Sequence, residues 1–223
     1  MSDRREEKYL ITYPEYVKIR NRVASAMTPD ENGKSGAYSI CSLYFDDEFD
    51  TAFYEKEDGL AVHTKFRIRT YGGGKSFIRL ERKTKRGLVT EKVSAMITES
   101  ELDAIIKGLP VSSDAECFGL VSEMYSKGLR PAVNVRYDRE AYVYEPLGIR
   151  VTFDINIDSL PCDKEVLFGD TRLALPALSR NEIVMEIKYS EKCPSFVRKL
   201  CETDGMQLSV SKYALCRSVR THK

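Results

Sequence analysis

The chain has 223 residues, 42% of them hydrophobic and 31% charged, which is enough to bury one substantial core and too few to require two domains, so a single domain over 1–223 is expected. Its 35 lysines and arginines balance 34 aspartates and glutamates, and a net charge of +1 excludes a general attraction to nucleic acid or anionic membrane. Six cysteines without a Cys-x-x-Cys pair argue against a zinc site or a disulfide framework, and a chain whose two histidines are His63 and His222 has little from which to build a histidine-based nucleophile system.

Met1 to Lys8 is charged, and no stretch approaches the roughly 20 apolar residues of a membrane span, so a cytoplasmic protein is expected. Thr12 as a cap, Pro14 in the first turn and apolar Val17, Val23 and Met27 predict a helix, followed by a loop at Asp30 to Gly36. Asp47 to Lys56 reads as a second helix. Val62 to Tyr71 alternates, with Val62, Phe66 and Ile68 on one face and His63, Lys65, Arg67 and Arg69 on the other. A Gly72 to Gly74 turn joins it to Ser76 to Lys83, where Ile78 and Leu80 oppose Arg79, Glu81 and Lys83, which makes a hairpin. Thr98-x-x-Glu101 is a capping box, and helices are predicted over Glu116 to Lys127 before Gly128 and over Pro194 to Thr203 before Gly205. Between them, Ile149 to Asp158 sets Ile149, Val151, Phe153, Ile155 and Ile157 against Arg150, Thr152, Asp154, Asn156 and Asp158, and Ile183 to Tyr189 sets Ile183, Met185 and Ile187 against Glu186 and Lys188.

For one strand, the plain explanation is an antiparallel sheet with its polar face in water. Charged sets repeated on strand after strand favour a different arrangement, an α+β fold whose closed antiparallel β-barrel has a charged lumen and helices packed outside. Converging arginines and lysines repel unless a polyanion or interleaved carboxylates neutralise them, and a phosphate chain suits guanidinium and ammonium groups alike. Glu186, Glu81 and Asp154 are the carboxylates that could hold Mg²⁺ or Mn²⁺; internal salt bridges would use the same side chains. No Gly-x-x-x-x-Gly-Lys-Ser/Thr loop exists, which excludes P-loop chemistry. Tyr38, Tyr44, Tyr54 and Tyr71 read as barrel and core packing.

An ordered set of segments resembles the triphosphate tunnel metalloenzymes (the CYTH-like superfamily), and within them the polyphosphate-polymerase domain of the vacuolar transporter chaperone (VTC) family. The segments are Glu6-Glu7-Lys8-Tyr9, Ser42-Leu43-Tyr44-Phe45-Asp46, Lys65 to Gly72, Leu80-Glu81-Arg82-Lys83-Thr84, Tyr137 to Tyr142, Arg150 to Asp154, Met185 to Tyr189 and Ser209 to Tyr213. The resemblance implies a metal-dependent phosphoryl transferase that binds ATP or polyphosphate in a basic tunnel and extends inorganic polyphosphate from the terminal phosphate of ATP. It places Lys8, Arg67, Arg69, Lys83, Lys92, Arg139, Arg150 and Lys212 at phosphate-contacting positions, adds Ser211 as a donor, and matches Glu186 to the metal-binding glutamate. Arg67, Arg69, Lys83 and Arg150 take the catalytic role and Lys188 joins the phosphate-binding set. Arg139 shares an alternation with Val133, Val135 and Val143, so turning it inward requires a bulge or twist. Pyrophosphate or triphosphate are further expected ligands. Since the membrane segment of the family's eukaryotic versions is missing from this sequence, export of product would need a membrane partner protein. A triphosphatase on the same scaffold and a non-catalytic polyphosphate-binding module are the alternatives. Nothing in the sequence marks an adenine pocket, as an adenylyl cyclase would need.

Overall fold

The computed structural model describes residues 5–31, 36–57, 59–87, 89–190, 192–209 and 211–221. His222, the start of the charged N-terminus (1–4), the middle of the Asp30 to Gly36 loop (32–35) and Val210 of the Ser209 to Tyr213 segment lie outside the described residues. In chain order the elements are β1 (Arg5–Thr12), α1 (Tyr13–Ala24), β2 (Thr28–Pro29), β3 (Tyr38–Asp46), α2 (Thr51–Glu57), β4 (Val62–Tyr71), β5 (Arg79–Arg86) and β6 (Val89–Met96). They continue with α3 (Glu99–Lys107), α4 (Phe118–Ser126), β7 (Arg130–Tyr144), β8 (Ile149–Leu160), α5 (Lys164–Leu167), β9 (Leu175–Pro176), β10 (Glu182–Tyr189), α6 (Ser195–Leu200), β11 (Met206–Gln207) and α7 (Lys212–Thr221). The fold is α+β with antiparallel strand pairs, as expected. The chain forms two compact units: the first takes 1–39, 137–157 and 178–209, and the second takes 40–136, 158–177 and 210–223.

In the first unit β1 pairs with β10 and β11, and β10 pairs with β8. Alternation sends Ile11, Val151, Phe153, Ile183, Met185 and Ile187 to one side, where Ile19 and Val23 of α1 and Val197 of α6 cover them. The first turn of α1 is held by Glu15, whose carboxylate accepts from the Thr12 backbone N–H at 2.9 Å and from its hydroxyl at 2.7 Å. Val17, expected on the buried face, is 39% exposed because Ile19 and Val23 carry that face instead. After α6 the chain passes so close to β1 that a Cβ at Gly205 would lie 2.4 Å from the Leu10 carbonyl oxygen, so glycine alone fits.

In the second unit β3, β4, β5 and β6 pair in sequence. Leu43, Phe45, Phe66, Ile68 and Leu80 pack on Leu102 and Ile105 of α3, Leu120, Val121 and Met124 of α4, and Val166 and Leu167 of α5. The capping box of α3 forms as predicted, with Thr98 N–H donating to Glu101 Oε2 at 2.7 Å and Glu101 N–H to Thr98 Oγ1 at 3.2 Å. The helix predicted from Asp47 begins instead at Thr51. Asp46 and Asp47 take up the intervening amides: Asp46 accepts from Ala52 and Phe53 N–H, Asp47 from Phe49 and Thr51 N–H, and Asp50 turns at φ 54. In each unit the described strand pairs form an open order, so the ring of hydrogen bonds that a closed barrel requires is not among them. No helix among the described residues is long and apolar enough to cross a membrane.

Candidate functional site

Strand register decides which side chains meet. In the second unit, Lys65 lies opposite Lys83, which lies opposite Lys92. The next row runs Tyr44, Arg67, Glu81, Ser94, and the one after it Ser42, Arg69, Arg79, Met96. Like charges placed directly opposite each other destabilise a sheet. Within these rows one carboxylate answers them. Glu81, 2% exposed, accepts from Arg67 Nε at 2.7 Å through Oε2, which also lies 2.6 Å from Arg67 Nη2, and its Oε1 pairs with Lys92 Nζ at 2.5 Å. Burial alone would raise the Glu81 carboxyl, but Arg67, Arg69 and Lys92 outweigh it and hold the pKa at about 2 against an ordinary 4.5.

That depression has a stability consequence. A carboxyl with a folded pKa below its unfolded one stabilises the fold above the unfolded value and loses the contribution as pH falls. For Glu81 the window runs from pH 4.5 down to about 2, and the loss is on the order of 3 kcal/mol. Urea unfolding at a series of pH values should show a steep acid limb in that window, flattened in Glu81→Gln; equal slopes in the two proteins would refute the assignment.

Around these rows stands a supporting layer. Arg67 Nη1 donates to the Tyr44 hydroxyl at 3.0 Å, and Arg69 Nε donates to Ser42 Oγ at 3.0 Å. Burial pushes the Tyr44 phenol up, yet Arg67, Arg69 and Lys212 together keep it below its ordinary value. Tyr44 stacks on Tyr213, ring centroids 5.1 Å apart, and the Tyr213 hydroxyl donates to the buried Asp46 carboxylate. Lys65 Nζ donates to Ser211 Oγ at 2.9 Å and sits 5.1 Å from the Tyr213 ring centroid. The start of α7 therefore lies on the charged face of the strands, whereas α3, α4 and α5 cover the apolar face.

The first unit carries a second charged face. Its rows are Glu6, Lys188, Arg150 and then Lys8, Glu186, Thr152. Glu186, 5% exposed, accepts from Lys188 Nζ at 2.9 Å and has Lys8 Nζ and Arg139 Nη2 each at 3.9 Å. Arg139 grips the fully buried Asp154 with two parallel bonds, Nε at 2.6 Å and Nη2 at 2.8 Å. Burial disfavours the Arg139 charge, but Asp154 and Glu186 overcome it and hold its pKa above the usual arginine range. Arg150 donates to Asp30 and, at 3.1 Å, to the Tyr38 hydroxyl. Arg139 thus joins the charged face as expected. The positive-φ residue found in the strands among the described residues is Asn156 (φ 54) of the neighbouring β8, whose side chain donates to Asp138 at 3.0 Å.

The expected site residues therefore fall into two sets. Lys8, Arg139, Arg150, Asp154, Glu186 and Lys188 belong to the first unit; Arg67, Arg69, Glu81, Lys83, Lys92, Ser211 and Lys212 belong to the second. Among the described residues no group of three or more His, Cys, Asp or Glu side chains could hold a metal ion. A hard cation that keeps waters and takes one or two protein carboxylates beside phosphate oxygens needs no such group. Glu186 fits that requirement, whereas both oxygens of Glu81 and both oxygens of Asp154 are engaged by cations, so those two expected metal ligands serve as ion-pair partners. Two of the tyrosines read as packing also have polar work: Tyr38 accepts from Arg150, and Tyr44, buried and stacked as expected, accepts from Arg67. Tyr54 is 54% exposed rather than part of a core. Ser42, Tyr44 and Lys65 escaped the expected site because their membership follows from register, although Lys65 sits on the Arg67 and Arg69 alternation.

The VTC domain family matches the chain over residues 3–220. Among solved structures, the PH1819 protein from Pyrococcus horikoshii OT3 superposes with a TM-score of 0.55 at 12% identity, covering 98% of each chain. A structure described as a proposed adenylate cyclase, bh2851 from Bacillus halodurans, has a TM-score of 0.51 at 12% identity over 86% of this chain and 81% of its own. Those identities bear on the fold alone. No curated protein matches the chain in sequence.

Proposed function

We propose, from the premise that this chain belongs to the VTC domain family, that it binds a triphosphate or polyphosphate and, with a divalent cation, transfers the terminal phosphoryl group of ATP to a phosphate acceptor, lengthening an inorganic polyphosphate chain. The observation that carries the reading is the set of facing cations, Lys65, Lys83 and Lys92 in one row and Arg69 and Arg79 in another, with Glu81 as the carboxylate of the row between them. A sheet gains nothing from such rows by itself, and a polyanion would turn their repulsion into binding.

Phosphoryl transfer passes through a loose transition state and asks for alignment and charge stabilisation rather than a covalent nucleophile. Arg67 suits that task because Glu81 and Tyr44 fix its guanidinium before any ligand arrives. Arg69, held by Ser42, presents a second planar donor, and Lys83, Lys92 and Lys212 supply point charges. In the first unit Lys8, Lys188, Arg139 and Arg150 are the cations, and Glu186 would hold the metal. Mn²⁺ or Mg²⁺ bound there would neutralise phosphate oxygens. An acceptor phosphate oxygen attacks the terminal phosphorus in line, the bond to the bridging oxygen breaks, and ADP leaves. The whole chain acts as one module in this proposal, which the family match across both units supports. A cytoplasmic location and a membrane partner that exports product belong to the same proposal.

The test is to incubate purified protein with ATP and Mn²⁺, resolve phosphate chains on a gel and measure orthophosphate in parallel. Chains made by the wild type and lost in Glu186→Ala are expected. Orthophosphate without chains would replace the polymerase with a triphosphatase, and metal-independent binding without turnover would leave a polyphosphate-binding module.

A further inference from the structure

Thr152 is fully buried, and its hydroxyl oxygen has no hydrogen-bond partner among the described residues. Buried hydroxyls are nearly always bonded, because one left without a partner has lost water and gained nothing. Valine has the same shape and would fill the position without that cost, so the hydroxyl invites a functional account. Register gives its surroundings. Thr152 stands directly opposite Glu186, which stands opposite Lys8, so the three share one face of β8, β10 and β1. Two residues along its own strand in either direction lie Arg150 and Asp154, both in ion pairs on that face.

We propose that the Thr152 hydroxyl is a positioning group for the Glu186 carboxylate when a divalent cation occupies the site, an inference that rests on the reading of Glu186 given above. In the structure Glu186 is oriented by cations, chiefly Lys188 Nζ at 2.9 Å, with Lys8 and Arg139 farther off. A divalent cation on Glu186 repels those charges, and the carboxylate then loses the groups that orient it. Directly opposed residues have Cβ atoms about 5 Å apart, so a small rotation brings a carboxylate oxygen to the Thr152 O–H. That donor is neutral and adds no repulsion toward the metal. Such outer partners of a ligating carboxylate typically contribute 10- to 100-fold in metal affinity.

The experiment titrates Mn²⁺ alone into the full chain, following free Mn²⁺ by electron paramagnetic resonance, beside thermal melts without metal. Thr152→Val is expected to melt about 2–4 °C higher than wild type, since a buried orphan is removed, and to bind Mn²⁺ about 10-fold or more weakly. Thr152→Ser, which keeps the hydroxyl, should bind within about 2-fold of wild type on the same scale. Glu186→Gln serves as the reference variant. If Glu186→Gln loses Mn²⁺ while Thr152→Val binds it as wild type does, the role of Thr152 is overturned and the metal reading stands. If Glu186→Gln binds Mn²⁺ normally, both fall.

Discussion

Arg67→Ala is expected to lower triphosphate turnover by about 10²–10³-fold, the usual effect of removing one preorganised charge-stabilising donor. Three features single Arg67 out. It stands in the middle row of the charged face, between Tyr44 and Glu81. Its Nε and Nη2 are held by Glu81 at 2.7 and 2.6 Å, and its Nη1 meets the Tyr44 hydroxyl at 3.0 Å, so little side-chain freedom is lost when a ligand binds. Finally, the layer behind it is itself anchored, since Tyr44 stacks on Tyr213 and Tyr213 donates to buried Asp46. Arg67→Lys should recover little, because an ammonium cannot satisfy Glu81 and a phosphoryl oxygen through one planar fork. Steady-state kcat and KM decide the matter: a kcat within about 3-fold of wild type would be far below the effect of a donor of this kind and would remove Arg67 from the chemistry.

The largest effect on stability is expected from Asp154→Ala. Asp154 is fully buried and takes both bonds of the Arg139 guanidinium. Its removal leaves a nearly buried cation whose remaining carboxylate, Glu186, is 3.9 Å away. Breaking one side of a buried pair costs about 3–5 kcal/mol, or roughly 6–20 °C in melting temperature for a chain of this size. Removing both charges with Asp154→Leu and Arg139→Met should recover most of the loss, because a packed apolar pair replaces a desolvated ionic one. Urea denaturation of the wild type, Asp154→Ala and the double variant measures this. A double variant no more stable than Asp154→Ala would mean that the site depends on the ion pair for packing as well as charge.

The two charged faces were legible because alternation is a local property. Val62 to Tyr71 forms β4 over the range predicted, and Lys65, Arg67 and Arg69 share a face as their spacing requires. The capping box at Thr98 and Glu101 was legible for the same reason. Pairing between strands was not, since register depends on residues far apart in sequence. That is why the sequence shows Arg67 and Glu81 as charged positions but does not show that they meet, and why it does not link Ser42 to Arg69 or Tyr44 to Arg67. Boundaries failed where side chains compete with the backbone: Asp46 and Asp47 absorb the amides ahead of α2 and delay its start to Thr51. Thr152 shows the same limit from the other side. Its place in an alternating strand is plain from the sequence, but the unsatisfied hydroxyl opposite Glu186 follows only from burial and register.

Calorimetric titration of tripolyphosphate into the protein tests the central claim most directly. The expected result is saturable binding that weakens as ionic strength rises and is about 10- to 100-fold weaker in Arg69→Ala, the loss of a charge-assisted contact. Absence of saturable binding, or equal affinity in Arg69→Ala and wild type at every ionic strength, would contradict the assignment of the facing cation rows to a phosphate chain.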